Sequence, residues 1–198
     1  MELLGQDGMG TRLPSTNGGL DQLFGLVRSQ WFLPVLAELG ANSMRGRAAV
    51  LRHRLGLSHS MAKRTLAAMV EGGWIRPNPG HGHPLRPDYL LTEMGAALAP
   101  HAMAILAERQ RRQLPLTGIG KWHLPLLVAL GDKPARFSDL EDRLAPVTPR
   151  ALSLQIKRSV DAKTVLRIVQ PAYPPVALYR VNDEATTLRD QAVAIAAA

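Results

Sequence analysis

Cysteine is absent from this sequence of 198 residues. Disulfide bonds, thiol redox sensing, cysteine nucleophiles and thiolate metal sites are therefore excluded. Long apolar runs are absent too, since no stretch reaches the roughly 18 uncharged apolar residues of a membrane span. The first residues, MELLGQDGMGTRLPSTNGG, contain no apolar run of signal-peptide length. We therefore expect a soluble, cytoplasmic protein without a membrane partner, with a flexible segment at residues 1–19.

Catalytic signatures are also missing. The sequence has no GxSxG, HExxH or Walker motif and no dinucleotide-binding fingerprint. The Gly-His-Gly-His stretch at 80–83 offers two histidines without a cysteine or clustered acids, which is a weak metal site. We expect a protein that is not an enzyme and that has no metal or other cofactor.

Acidic residues are scarce relative to basic ones. The 16 Asp and Glu residues stand against 24 Lys and Arg, a formal charge of +8. This surplus favours an anionic partner, either nucleic acid or a membrane surface, and of the two we expect nucleic acid. Apolar residues make up 46% of the chain, which is enough to build buried cores.

A ten-residue stretch occurs twice in the sequence in similar form. WFLPVLAELG lies at 31–40 and WHLPLLVALG at 122–131. Similar positions follow at nearly the same offset, namely Leu51 with Leu140, Leu55 with Leu144, Ser58 with Thr148, and Tyr89 with Tyr179. The period is too long for a solenoid, whose units have ~20–50 residues. We predict two tandem modules, residues 20–113 and 122–198, joined by a Pro- and Gly-marked junction at 114–121.

Each module shows the pattern of helix, helix, helix, hairpin, helix. In the first, apolar spacing predicts a helix over 20–39 that Pro34 interrupts or kinks, and a second over Arg47–Leu55. Ser58 is suited to cap a third helix whose inward residues are Ala62, Leu66 and Met69. A β-hairpin with a long loop and a helix over 93–112 follow. Thr148 is the corresponding cap in the second module, before inward residues Leu152, Ile156 and Val160. The predicted fold is mainly α with small β-hairpin wings (α+β).

This order is that of a winged helix-turn-helix. The strings GLSHSMAKRTLAAMVEGGWI and PLRPDYLLTEMGAAL resemble the HxlR-type bacterial transcription regulators, relatives of the MarR group. KWHLPLLVALGDKPARFSDLEDRL resembles the front half of the same family. The resemblance implies promoter DNA as partner. Family members are usually single modules that form homodimers. Many carry a cysteine near the N-terminus, but this chain has none, so thiol sensing does not carry over.

Because two-fold dimers read two DNA half-sites, a covalent tandem can supply both halves in one chain. We therefore expect the two modules to pack as an intramolecular pseudo-dimer. The expected contact residues are Leu23, Val27, Ile105 and Ile119, with Met103 as a further candidate. Homodimerisation of the whole chain and the identity of any small-molecule effector stay open.

The first module has the stronger features of a DNA-reading surface. No acid occurs between Glu38 and Glu71, a stretch that spans the support helix and the recognition helix. The residues expected to contact double-stranded DNA are Arg45, Arg47, Arg52, Arg54, Ser58, His59, Ser60, Lys63, Arg64, Arg76, His81, His83 and Arg86. Of these residues, His81, His83 and Arg86 belong to the wing around the loop PGHGHP.

The second module differs. Acids at Asp139, Glu141 and Asp142 would repel phosphate from its support helix. Its recognition helix still offers Arg150, Ser153, Lys157 and Arg158, with Gln155 beside them, while Leu154 stands where the first module has Arg64. Either this module reads DNA weakly or it has a packing role.

The three tryptophans leave a second function open. Trp31, Trp74 and Trp122 are core anchors or line a ligand cavity between the modules. The alternative to a regulator is a small-molecule binding or sequestering (resistance-type) protein on the same frame, with DNA binding weak or lost. A protein-interaction module is a third reading, which the acid-free basic stretch disfavours.

Overall fold

The structure is a computed structural model, and it describes residues 16–78, 87–115 and 120–198. The first half consists of α1 (Thr16–Val27), α2 (Phe32–Ala41), β1 (Arg45–Arg47), α3 (Ala48–Arg54), α4 (His59–Glu71), β2 (Ile75–Pro77), β3 (Asp88–Leu91) and α5 (Glu93–Arg111). The second consists of α6 (His123–Leu130), α7 (Phe137–Arg143), α8 (Pro149–Asp161), β4 (Val165–Gln170), β5 (Val176–Val181), a 3-10 turn (Asp183–Ala185) and α9 (Thr186–Ala197). None of the helices in these ranges is both long and apolar enough to cross a membrane.

The predicted helix over 20–39 is two helices, and Pro34 is not the point of the break. The chain turns between Val27 and Phe32, and Pro34 lies in the first turn of α2. A helix leaves the N–H groups of its first turn without helical partners, so proline removes nothing there. The helix α1 also begins at Thr16, inside the segment predicted to be flexible, whose residues 1–15 lie outside the described ranges.

A short strand was missed in the sequence. Arg45–Arg47 pairs antiparallel with β3, so the next helix begins at Ala48 and not at Arg47. The first sheet therefore has three strands in the order β1-β3-β2. Three residues are too few to show the alternation of a strand, and the pairing depends on a partner far along the chain.

The third helix of each half forms as its sequence predicts. The Ser58 side chain accepts a hydrogen bond from the Met61 N–H at 3.2 Å, and Thr148 caps α8 through Ala151 at 3.3 Å. The predicted inward residues Ala62, Leu66, Met69, Leu152 and Ile156 are buried, and Val160 is half-buried. Capping and apolar spacing thus fix which face of each helix stays in water.

From α2 and from α6 onward the two halves have similar element orders, and their hairpins share strand register. Ile75 pairs with Leu91 in the first sheet, and Val165 pairs with Val181 in the second. Gly46 faces Tyr89 across β1 and β3, and an isolated bridge between Ala135 and Tyr179 stands at the corresponding place.

Close packing in the first half depends on two glycines. A Cβ on Gly40 would lie 2.8 Å from the Ala99 Cβ, so glycine lets α2 approach α5 closely. A Cβ on Gly95 would lie 2.0 Å from the Trp74 carbonyl oxygen, so glycine also seats the first turn of α5 against the end of α4 and β2.

The halves are joined by one continuous apolar core. Helix α9 of the second half packs against α5 and α1 of the first, and α1 also contacts α6. The Phe24 and Trp122 rings meet edge to face with centroids 5.4 Å apart, and His101 Nδ1 lies 2.8 Å from Gln191 Oε1.

The residues predicted for this contact differ in their exposure. Leu23 and Ile105 are fully buried on helices that contact α9, and Val27 is half-buried. Met103 is 41% exposed, and its sulfur lies near Gly40 of α2 in its own half, so the structure does not support it as a contact residue. Ile119 lies outside the described residues.

Candidate nucleic-acid interface

The outward face of α4 is the centre of the candidate interface. His59, Ser60, Lys63 and Arg64 are all exposed on it. Their opposite face is fixed in the core by Leu66 and its buried neighbours, so these side chains point into solvent from a rigid helix. Such a helix can enter a major groove, where lysine and arginine donate to guanine edges or phosphates.

Every predicted DNA-contacting residue in the described ranges is solvent-exposed. These are Arg45, Arg47, Arg52, Arg54, Ser58, His59, Ser60, Lys63, Arg64, Arg76, Arg150, Ser153, Lys157 and Arg158. His81, His83 and Arg86 of the first wing, with the Gly-His-Gly-His stretch, lie outside the described residues. Exposure is necessary for contact with DNA but does not demonstrate it, so these contacts stay predictions.

Arg54 is the one cation of this set with an acidic partner among the described residues. Its Nη1 pairs with the Glu38 carboxylate and also donates to Asn42 Oδ1 at 3.0 Å. Glu38, the acid at the start of the acid-free stretch, therefore contacts a residue within that stretch. Arg54 is held toward α2, whereas Arg45, Arg47, Arg52 and Lys63 have no ion pair within residues 16–78, 87–115 and 120–198.

Ser58 has a structural task as well as an exposed position. Its oxygen caps α4 by accepting from Met61, and it lies 3.2 Å from the Ser60 hydroxyl. Of the two serines, Ser60 is therefore the one whose hydroxyl is not needed to begin the helix.

The corresponding face of α8 also carries exposed cations, namely Arg150, Lys157 and Arg158, but it is partly apolar. Leu154 is 48% exposed where the first module has Arg64. Gln155, expected beside the contacting residues, is instead buried, and its Nε2 donates to Ser159 Oγ at 3.1 Å. It occupies the inward face because its position in α8 falls between those of Leu152 and Ile156 on the side packed against the core.

Acids lie on α7, the helix that precedes α8. The Asp139 carboxylate accepts from the Arg136 N–H at 2.8 Å and so begins α7, while Asp142 is exposed. The electrostatic difference between the two halves that the sequence indicates is therefore present at the surface.

The three tryptophans have different surroundings. Trp74 is buried with only 7% exposed, and its ring lies 5.3 Å from that of Phe32. Trp122 is half-buried against Phe24, with the Lys121 ammonium 4.7 Å from its ring centroid. Trp31 is half-buried at a cavity. Trp74 and Trp122 pack against other aromatic rings, whereas Trp31 lines a cavity.

Two arginines at the end of α5 face the interior of the molecule. The sequence places them in the last turn, where cations suit the helix dipole. Arg112 donates through Nη1 to the Glu184 carbonyl at 2.7 Å and through Nη2 to the Lys163 carbonyl at 3.0 Å, which ties α5 to the second half. Arg109 is only 9% exposed. The two carbonyls that Arg112 contacts lie 72 and 51 residues away along the chain, so no local pattern predicts these contacts.

These arginines act on a buried histidine. His123 at the start of α6 is fully buried, and its Nε2 lies 3.0 Å from the Thr164 hydroxyl. That hydroxyl donates to the Ser159 carbonyl at 3.1 Å, so it accepts from His123 and the proton is assigned to Nε2. Burial, aided by the charges of Arg109 and Arg112, lowers the pKa of His123 to about 3. The imidazole is therefore neutral at pH 7.

The second half of the chain matches a known protein family. Residues 118–197 match the family model of the HxlR-like helix-turn-helix. The crystal structure of diamide-treated YodB from B. subtilis is 22% identical to this chain, covers 36% of it and 70% of the YodB chain, and gives a TM-score of 0.34. No curated protein matches the chain. The chain thus contains an HxlR-like helix-turn-helix domain, which spans α6 to α9.

Proposed function

We propose that this protein is a sequence-specific, DNA-binding transcription regulator that occupies promoter DNA through its winged-helix recognition helices. The observation that carries the proposal is the outward face of α4, where Lys63 and Arg64 are exposed on a helix fixed by a buried opposite face. The HxlR-like helix-turn-helix domain in the second half supports the same class of function. The role proposed is binding and not catalysis.

We further propose that the two halves are a tandem duplication of one winged-helix module, packed as a built-in pseudo-dimer over 20–113 and 122–198. The matched strand registers and the matched caps at Ser58 and Thr148 support a shared origin. The continuous core and the contact of α9 with α5 support a fixed arrangement. If ordinary dimer geometry is kept, the two recognition helices would reach half-sites ~34–36 Å apart.

The halves would contribute unequally. Helix α4 follows the exposed cations of β1 and α3, whereas α8, although it has exposed cations of its own, carries an exposed leucine and follows the acids of α7. Phosphate contacts supply much of the affinity of DNA-binding proteins, so the first half should dominate. The bound site would then be an imperfect palindrome with one stronger half.

The test is the double substitution Lys63→Ala, Arg64→Ala, with binding to promoter fragments of the protein's own locus measured by fluorescence anisotropy. We expect a loss of about 1–3 kcal/mol or more in binding free energy, with an unchanged melting temperature, because neither residue is in the core. The matched control is Lys157→Ala, Arg158→Ala on α8, which makes the same change of charge and should cost less. Unchanged affinity in the α4 double variant would remove these residues from the interface.

A further inference from the structure

A cavity of about 420 Å³ lies between the first half and the junction that leads to α6. Its wall is formed by the turn between α1 and α2, by Met61 of α4, by Leu106 and Arg109 of α5, and by Gly120 and Lys121 before α6. This volume falls in the range of sites for small organic molecules. The cavity is thus built by residues of the first half and of the junction before α6, and it borders the recognition helix.

The cavity has an apolar wall and a buried cation. Trp31, Leu33, Pro34 and Leu106 supply apolar surface. Arg109 also lines it, is 9% exposed, and has an Nε atom that makes no hydrogen bond. Within the described part of the chain Arg109 has no ion pair. A buried charge without a partner is costly, so the position requires an anion or another compensating group.

Neighbouring acids do not supply that anion. Glu108, next to Arg109 on α5, is paired with Arg111, whose Nε donates to Glu108 Oε2 at 2.7 Å. None of the described residues that line the cavity is acidic, while Arg28 and Lys121 add positive charge at exposed positions. Burial lowers the pKa of the Arg109 guanidinium, but arginine stays charged at neutral pH. The cavity therefore has positive potential over an apolar lining.

We propose that this cavity is a binding site for a small organic carboxylate with an aromatic or aliphatic body. The guanidinium of Arg109 would receive the carboxylate, for which its planar arrangement of donors is suited to two parallel hydrogen bonds. The apolar body would lie against Trp31 and Leu106. Inorganic phosphate or sulfate fits less well, because it would leave the apolar wall uncovered and carry more charge than one buried arginine offsets.

The site would also couple to DNA binding by its position. Met61 follows the first residues of α4 and forms part of the cavity wall, while Gly120 and Lys121 belong to the approach to the second half. An occupant that touches these groups can change how the two recognition helices stand relative to each other, and any such coupling is reciprocal. Ligand binding itself does not depend on whether DNA is the partner.

Isothermal titration calorimetry of the full chain tests the site with four probes: 1-naphthoate and octanoate, each compared with its matched alcohol, 1-naphthalenemethanol and 1-octanol. We expect at least one carboxylate to bind at one equivalent per chain, and at least about tenfold more tightly than its alcohol, which is the size of one charge-assisted pairing. Failure of both carboxylates to bind, or equal affinity for carboxylate and alcohol, would overturn the proposal.

Substitutions locate the binding. Arg109→Met keeps the length of the side chain and removes the charge, so it should lose about tenfold or more in carboxylate affinity and retain the affinity for the alcohol. Arg109→Lys, which keeps the charge without the fork of donors, should fall between the two. The control Lys133→Met removes one exposed charge away from the cavity and should bind as the unaltered protein does. Undiminished carboxylate binding by Arg109→Met would show that the anion lies elsewhere. If Arg109→Met does not fold, the Arg109→Lys variant and the probe comparison decide the matter.

Discussion

The buried histidine predicts how the protein responds to acid. His123 is neutral in the folded state because its imidazole is fully buried, its Nε2–H is bonded to Thr164, and Arg109 and Arg112 disfavour a second proton. In the unfolded chain the same group takes up a proton near pH 6.5, its ordinary pKa. The folded pKa is lowered to about 3, so acid favours the unfolded state.

The magnitude follows from this difference in pKa. The stability associated with neutral His123 is fully present above about pH 6.5 and falls as the pH decreases toward 3. Each pH unit in that window costs about 1.4 kcal/mol. Between pH 7 and pH 5 the expected loss from this one residue is about 2 kcal/mol, which is a large part of the stability of an ordinary domain.

The assay is urea denaturation of the full chain and of His123→Leu at pH 7, 6 and 5, followed by circular dichroism. Leucine removes both the titrating group and the unpaired Nδ1, and the other titrating groups are common to both proteins. The difference in unfolding free energy should therefore shift by about 2 kcal/mol in favour of the leucine variant between pH 7 and pH 5. A difference that stays constant with pH would refute the assignment of a neutral, desolvated His123.

Three further outcomes are expected. Residues 1–115 and 116–198 expressed separately should each expose the apolar faces joined at α5 and α9, and should associate when mixed; soluble halves that stay apart in analytical ultracentrifugation would mean two independent domains. Gly95→Ala should lower the unfolding free energy by about 1–3 kcal/mol or more, because its Cβ would overlap the Trp74 carbonyl, whereas Gly25→Ala, with 3.4 Å to the Trp74 ring, should be near neutral in thermal melts. Arg52→Ala should weaken DNA binding more than Arg54→Ala, since Arg54 already pairs with Glu38, and the reverse order in anisotropy titrations would contradict the surface assignment.

The sequence predicts those parts of the fold that depend on near neighbours. The α4 helix has its cap at Ser58 and its apolar face at Ala62, Leu66 and Met69 within a dozen residues, so its boundaries and exposed face follow from local pattern. The candidate interface on it was predicted for the same reason. Repetition at a constant offset likewise predicts matching strand pairs in the two sheets.

What the sequence does not predict depends on contacts between distant segments. The strand β1 exists because β3 offers it a free edge, and Gln155 is buried because of how α8 packs. The charges of Arg109 and Arg112 act on His123 across the junction, and the cavity beside Arg109 forms only where α5, the turn between α1 and α2, and the junction come together. In the sequence Arg109 is one of three arginines at the end of a helix, and no local pattern distinguishes it from Arg111.

The most direct test of the central claim is a salt titration of binding between the full chain and promoter fragments of its own locus. Lysine and arginine displace counterions from phosphates, so the logarithm of affinity should fall steeply, by several units of slope, with the logarithm of salt concentration. The Lys63→Ala, Arg64→Ala variant should show a shallower slope. A flat titration over a range of genomic fragments would contradict a DNA-binding function and would favour small-molecule binding as the main role of this frame.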